Sequence, residues 1–95
     1  MKVTVRLFAL IRELAGTKEE RLDITEGSNV KKLLEILCKR FGLEFARYVT
    51  DQDSGLPRSQ IQILVNGKSL ASLKGVDTEL TDGAEVALMP PVGGG

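Results

Sequence analysis

The chain has no histidine and no tryptophan, and only one cysteine. Without imidazole, the side chain that most readily exchanges protons near neutral pH is missing, and so is the commonest metal ligand. The single thiol, Cys38, has no partner for an internal disulfide and cannot assemble a thiolate metal cluster. No phosphate-cradling Gly-x-x-x-x-Gly-Lys-[Ser/Thr] run is present. No apolar run approaches the roughly 20 residues that a membrane-spanning helix needs. The opening Met1-Lys2-Val3-Thr4-Val5 starts a strand pattern instead of a leader. A cytoplasmic protein with no membrane partner is therefore expected. An excess of one charge is also lacking: 13 Lys+Arg residues balance 13 Asp+Glu residues. With no basic surplus to neutralise phosphates, a nucleic-acid partner is not expected either. The remaining residues are poor material for an enzyme acting alone, and neither a metal nor a bound cofactor is expected.

What is present reads as one compact domain, since 95 residues can bury one modest core but not two. Residues 2–8 alternate, with Val3, Val5 and Leu7 on one face and Thr4, Arg6 and Phe8 on the other. Residues 9–15 suit a short helical turn stopped by Gly16, and 20–25 alternate again with Leu22 and Ile24 inward. The clearest helix follows. Val30, Leu33, Leu34, Leu37, Cys38 and Phe41 make one apolar stripe, with Ser28 or Asn29 as cap, Lys39 and Arg40 in the last turn, and Gly42 as stop. Residues 43–59 mix apolar and charged types before the turn chemistry of Asp51-Gln52-Asp53-Ser54-Gly55-Leu56-Pro57, and read as a long mobile excursion. Ile61, Ile63 and Val65 then share a strand face, and Asn66-Gly67 is a strong hairpin signal. Asp82-Gly83 turns into a last strand, 84–89, with Val86 and Leu88 inward. The order strand, strand, helix, strand, short elements, strand is that of a two-layer α+β protein: a mixed sheet with one main helix across one face. It matches the β-grasp, or ubiquitin-like, arrangement. The reading is a single β-grasp domain over 1–89 and a flexible Gly-rich C-terminal tail over 90–95.

The tail is chemically distinctive. Pro90 and Pro91 cannot donate to a strand ladder and favour an extended conformation. Gly93, Gly94 and Gly95 carry no side chain, so they fit a narrow channel at any backbone angle. Fully extended, the tail would reach about 20 Å at about 3.3 Å per residue. The Gly95 carboxylate would be its reactive group, delivered to a site on another protein.

The stretch from Leu80 through Thr81-Asp82-Gly83-Ala84-Glu85-Val86-Ala87-Leu88-Met89-Pro90-Pro91-Val92 to Gly95 resembles the C-terminal signature of the MoaD/ThiS family of sulfur carriers. Leu7-Phe8-Ala9-Leu10-Ile11-Arg12-Glu13-Leu14-Ala15-Gly16 resembles that family's opening, and Leu64-Val65-Asn66-Gly67 its middle hairpin. Within the family the likeness is greatest to small subunits of molybdopterin synthase, and the length of 43–59 resembles the archaeal-type branch. The resemblance implies an E1-like adenylating enzyme that uses ATP to activate the Gly95 carboxylate. It also implies a persulfide sulfur donor that converts the carboxylate to a thiocarboxylate, and a molybdopterin synthase large subunit that takes in the tail. Gly94 and Gly93 would thread the site with Gly95. Other outlets stay open: conjugation to lysines as a ubiquitin-like modifier, delivery of sulfur to thiazole, tRNA or an amino acid, or a plain interaction module.

Three further groups have expected places. Phe8, Leu64, Ala87 and Met89 would gather on the sheet face away from the helix and, with Pro90, Pro91 and Val92, form the partner-binding surface. Cys38 lies in phase with the apolar helix stripe and reads as a core thiol. Asp77, Glu79, Asp82 and Glu85, with no basic residue after Val76, would suit a cationic partner or be plain solvated turn residues.

Overall fold

The structure is a computed structural model, and it describes residues 1–91. Its elements in chain order are strand β1 (Lys2–Leu7), helix α1 (Ala9–Ala15), β2 (Glu19–Asp23), α2 (Val30–Phe41), α3 (Leu43–Val49), β3 (Gln62–Val65), β4 (Lys68–Ser69) and β5 (Ala84–Met89). The described residues form a five-stranded sheet in the order β2-β1-β5-β3-β4. β1 pairs antiparallel with β2 and parallel with β5, and β5 pairs antiparallel with β3. The last strand therefore lies at the centre of the sheet. Helices cover one face, which is the expected α+β, β-grasp architecture.

The core follows from the two periodicities. Along β1 every second residue, Val3, Val5 and Leu7, is buried, and Val86 and Leu88 do the same on β5. Against them α2 lays Val30, Leu33, Leu34 and Leu37, all buried, from the stripe that the sequence spacing predicts. Asn29 caps α2 by accepting a 2.9 Å hydrogen bond from the Lys32 amide. The hairpin joining β3 to β4 turns on Asn66 (φ 50°) and Gly67 (φ 83°), with Val65 opposite Lys68. Those positive φ angles are the ones a two-residue type I′ loop requires.

One expectation needs correcting. The first part of the 43–59 excursion is the helix α3, and its Phe45 and Val49 are completely buried. Phe45 is the largest fully buried side chain among the described residues, and its ring packs 5.1 Å from that of Phe41. The physical reason is the sharp corner at Gly42. Its φ of 95° both ends α2 and admits α3, so the chain folds back onto α1 and α2 instead of leaving the surface. The part that follows is tied down too. Asp51 accepts amide hydrogen bonds from Asp53 (2.8 Å) and Ser54 (3.2 Å), and Thr50 bridges Pro57. Beside the expected main helix α2 and the short α1, helical cover thus includes α3.

Candidate functional site

Antiparallel and parallel pairing together decide which residues surround the root of the tail. β1 and β5 run in the same direction, so both finish at one end of the sheet; β3, running oppositely, begins there, as does β2. Leu88 is flanked by Leu7 on one side and Ile63 on the other, and Met89 faces Gln62. The ladder stops at Pro90, as two consecutive residues without amide hydrogens dictate. Pro90 and Pro91 are half-buried, and Pro91 lines a cleft with Arg47, Tyr48, Arg58, Gln60 and Ile61. The tail thus leaves from the middle of the sheet, with structure on both flanks. Val92, Gly93, Gly94 and Gly95 lie outside the described residues.

The predicted partner surface is brought together in part. Leu64 lies directly opposite Ala87, and Ala87 is next to Arg6 across β1. Leu64, Ala87 and Met89 are half-buried on the face turned away from the helices. Phe8 is 43% exposed, but it lies just beyond β1, on a cleft shared with Arg6, Leu7, Arg12, Lys18 and Glu19. The face is not uniformly apolar. An Arg6–Glu85 ion pair, Nε to Oε1 at 2.9 Å, crosses it from β1 to β5. Phe8 also precedes α1 without any side-chain capping bond, and the next residue, Ala9, has a φ of 51°. An aromatic side chain in a capping position satisfies none of the free amides of the first turn, and a left-handed alanine is strained. Broken local rules of this kind gather at functional surfaces.

Comparison with known proteins places the chain as a whole in a family. The profile of the ThiS family matches residues 5–95. The chain belongs to the ThiS family. It is 30% identical over 95 residues to small archaeal modifier protein 3 of Haloferax volcanii, covering all of both chains. The same identity relates it to the molybdopterin synthase sulfur carrier subunit of Drosophila erecta, over all of this chain and 92% of that one. Among solved structures, small archaeal modifier protein 1 of Methanosarcina acetivorans superposes with a TM-score of 0.80 at 36% identity, over 99% of this chain and 96% of that one. This ThiS-family chain is accordingly a small ubiquitin-like protein of the sulfur-carrier and modifier class. Among the described residues no helix is long and apolar enough to cross a membrane.

Other predicted groups take different places in this ThiS-family fold. The acidic residues lie away from the root of the tail, and two of them are engaged within the chain. Asp82 Oδ1 accepts the Lys2 amide at 2.7 Å where β5 begins, and Glu85 holds Arg6. Cys38 is half-buried and packs against the core, as its phase on α2 predicts. Burial pushes its thiol pKa up, against a smaller opposing effect of a hydrogen bond with Thr50. A raised pKa means less thiolate at neutral pH, which suits a packing role over a nucleophilic one. The residues that sequence reasoning missed are Arg47, Tyr48 and Arg58 beside Pro91. All three belong to the segment read as an excursion. The signal that could have found them is the Phe45/Val49 pair at i, i+4, which turns Arg47 and Tyr48 into helix residues with fixed directions.

Proposed function

We propose that this chain is a sulfur carrier, working through a thiocarboxylate on Gly95 as the small subunit of a molybdopterin synthase. In the first step, an E1-like enzyme joins the Gly95 carboxylate to the AMP portion of ATP and releases pyrophosphate. The acyl-adenylate is a far better electrophile than a carboxylate, because AMP is a good leaving group. The terminal sulfur of a persulfide on a donor protein then attacks the acyl carbon and AMP departs, leaving an acyl disulfide. A second thiol cleaves its S–S bond, giving the thiocarboxylate and a disulfide on the donor side. A large subunit then admits the tail and supplies the acid–base groups, while the carrier supplies the nucleophile to a pterin precursor.

The observation that carries this reading is the position of Pro90 and Pro91 at the end of the central strand, within a family match that runs to Gly95. Gly93 and Gly94 have no Cβ, so they would pass through a channel too narrow for other residues. Phe8, Leu64, Ala87 and Met89, with Pro90, Pro91 and Val92, would bear on the partner around that passage. A second reading has its own support: the relatives include archaeal proteins named as modifiers. On that reading the same acyl-adenylate is passed to a lysine amine instead of to sulfur.

The test is intact mass spectrometry of the protein incubated with its adenylating enzyme, ATP and a persulfide donor. Exchange of one terminal oxygen for sulfur, absent when Gly95 is deleted, supports the carrier. A free carboxylate together with isopeptide adducts on lysines of other proteins supports the modifier. Restored pterin conversion on adding a molybdopterin synthase large subunit separates that pathway from other uses of the sulfur.

A further inference from the structure

The neutral net charge of the chain hides an uneven distribution around the root of the tail. Besides Arg6, which is paired with Glu85, four cations border it. On the β1/β2 side, Arg12 and Lys18 line the cleft that also holds Phe8. On the β3 side, Arg47 and Arg58 line the cleft that holds Pro91. β5 runs between these two sides, so its C-terminal end has a cationic cleft on each flank. None of the four lies within ion-pair distance of a carboxylate among the described residues. The one carboxylate lining either cleft, Glu19, is engaged by Arg21 at 3.2 Å.

Arg58 is also held in place. Its amide donates to the Val49 carbonyl and its Nε to the Arg47 carbonyl, both at 2.9 Å, which closes the C-terminal turn of α3. Its other guanidinium nitrogens donate to nothing among the described residues. One edge of the fork is therefore structural, and the residue lines the cleft beside Pro91. A preorganised guanidinium loses less rotamer entropy when it meets a planar carboxylate.

We infer that the cationic clefts on either side of Pro91 form a collar that seats on an acidic protein surface rimming the channel into which the tail is threaded. The inference rests on the activation step proposed above and names the chemistry of the surface that performs it. Separate cations on the two sides of a single chain exit fit carboxylates arranged around an opening. A nucleic-acid backbone would instead call for a continuous basic stripe and a basic surplus. Complementary charge around the channel mouth would speed encounter and set the orientation in which the tail enters.

The test uses the full chain with Arg12→Glu, Lys18→Glu and Arg47→Glu combined. All three residues are exposed and their side chains make no bond among the described residues, so folding is preserved; a thermal melt checks this. The control is Lys31→Glu with Lys32→Glu, exposed in the first turn of α2 at the other end of the domain. Affinity for the adenylating enzyme is measured over a series of salt concentrations, alongside thiocarboxylate yield by intact mass. The expected result is Kd raised roughly 100-fold in the triple variant, a flatter dependence on salt, and a yield that recovers at saturating carrier. The control pair should match the wild type. A folded triple variant with wild-type Kd and salt slope overturns the collar while leaving the sulfur carrier intact. A single-stranded RNA oligomer bound tightly by the wild type and released by the triple variant overturns it as well. Wild type that binds the enzyme but never gains sulfur removes the carrier reading, and the Kd comparison still decides the collar. Wild type that does not bind overturns both.

Discussion

At the end of the sheet where β1 and β5 begin, polar groups are taken up by one another, whereas at the end where both finish several cations and apolar side chains face outward. At the first end the Met1 ammonium donates to Asp23 and to the Ile24 carbonyl. The Lys2 amide is held by Asp82, and the Gly83 amide by the Lys2 carbonyl. The start of α2 is stitched to the chain before β5 through Val30 to Thr78 and Leu80 to Ser28. At the second end Phe8 and Leu10 are exposed, and Arg12, Lys18 and Arg47 have no carboxylate partner among the described residues. The difference is one of labour: one end closes the fold, and the other leaves apolar side chains and cations in solvent. Substitutions at the first should therefore register in stability and substitutions at the second in binding.

The largest expected effect tests whether α3 belongs to the stable part, although it carries Arg47. Phe45→Ala removes the largest fully buried side chain, and should cost about 3–5 kcal/mol in a urea denaturation experiment. A loss below about 1 kcal/mol would mean that α3 is not docked in solution. Next, Phe8→Asp should weaken binding to the adenylating enzyme by about tenfold, or roughly 1.4 kcal/mol. The melting temperature should hold, because aspartate is well suited to a helix-capping position and Phe8 contributes no capping bond. An unfolded variant, or a folded one with unchanged affinity, would erase the contrast between the ends.

At the closing end, Asn29→Ala removes the α2 cap, and should lower stability by about 1 kcal/mol in thermal unfolding while affinity for the enzyme stays the same. The smallest effect is one of pH. Hydrogen bonds from the amides of Asp53 and Ser54 hold the Asp51 carboxyl below the ordinary carboxylate range. A folded pKa below the unfolded one means that the contribution is full above about pH 4, and is lost as pH falls through the lowered folded value. Asp51→Asn should therefore flatten the acid limb of a stability–pH profile without altering stability's response above neutrality. At the first end the Met1 ammonium, and then Lys2, lower Asp23 in the same direction, so Asp23 should keep part of that acid limb in the variant.

Most of this architecture could be read from the sequence because it rests on long or strict periodicities. The stripe from Val30 to Leu37 spans two turns, and the alternation of Val3, Val5 and Leu7 admits one burial pattern. Asn66-Gly67 permits few turns besides the one it makes. α3 escaped because seven residues give too little pattern: only Phe45 and Val49 are buried, and Arg47 between them reads equally well as loop. What positions the helix is the corner at Gly42 and the docking of Phe45 onto Phe41, which are tertiary facts. Asp82 begins the turn into β5, so a strand of six residues separates it from the root of the tail, as the sequence order implies. The cations around Pro91 come from three separate segments, so no linear motif announces them.

The parallel pairing of the first strand with the last has a kinetic consequence. Val3 meets Ala84 and Leu7 meets Leu88, so the central ladder joins opposite ends of the chain. Closing so long a loop delays folding and makes it depend on residues synthesised long after β1. A chain emerging from the ribosome can form α1 and α2 early, but cannot complete its sheet until β5 has been released. An activating enzyme that requires the flanks of β5 would then encounter only finished molecules. If Gly95 is the group that is activated, folding itself would act as an inspection step before that chemistry.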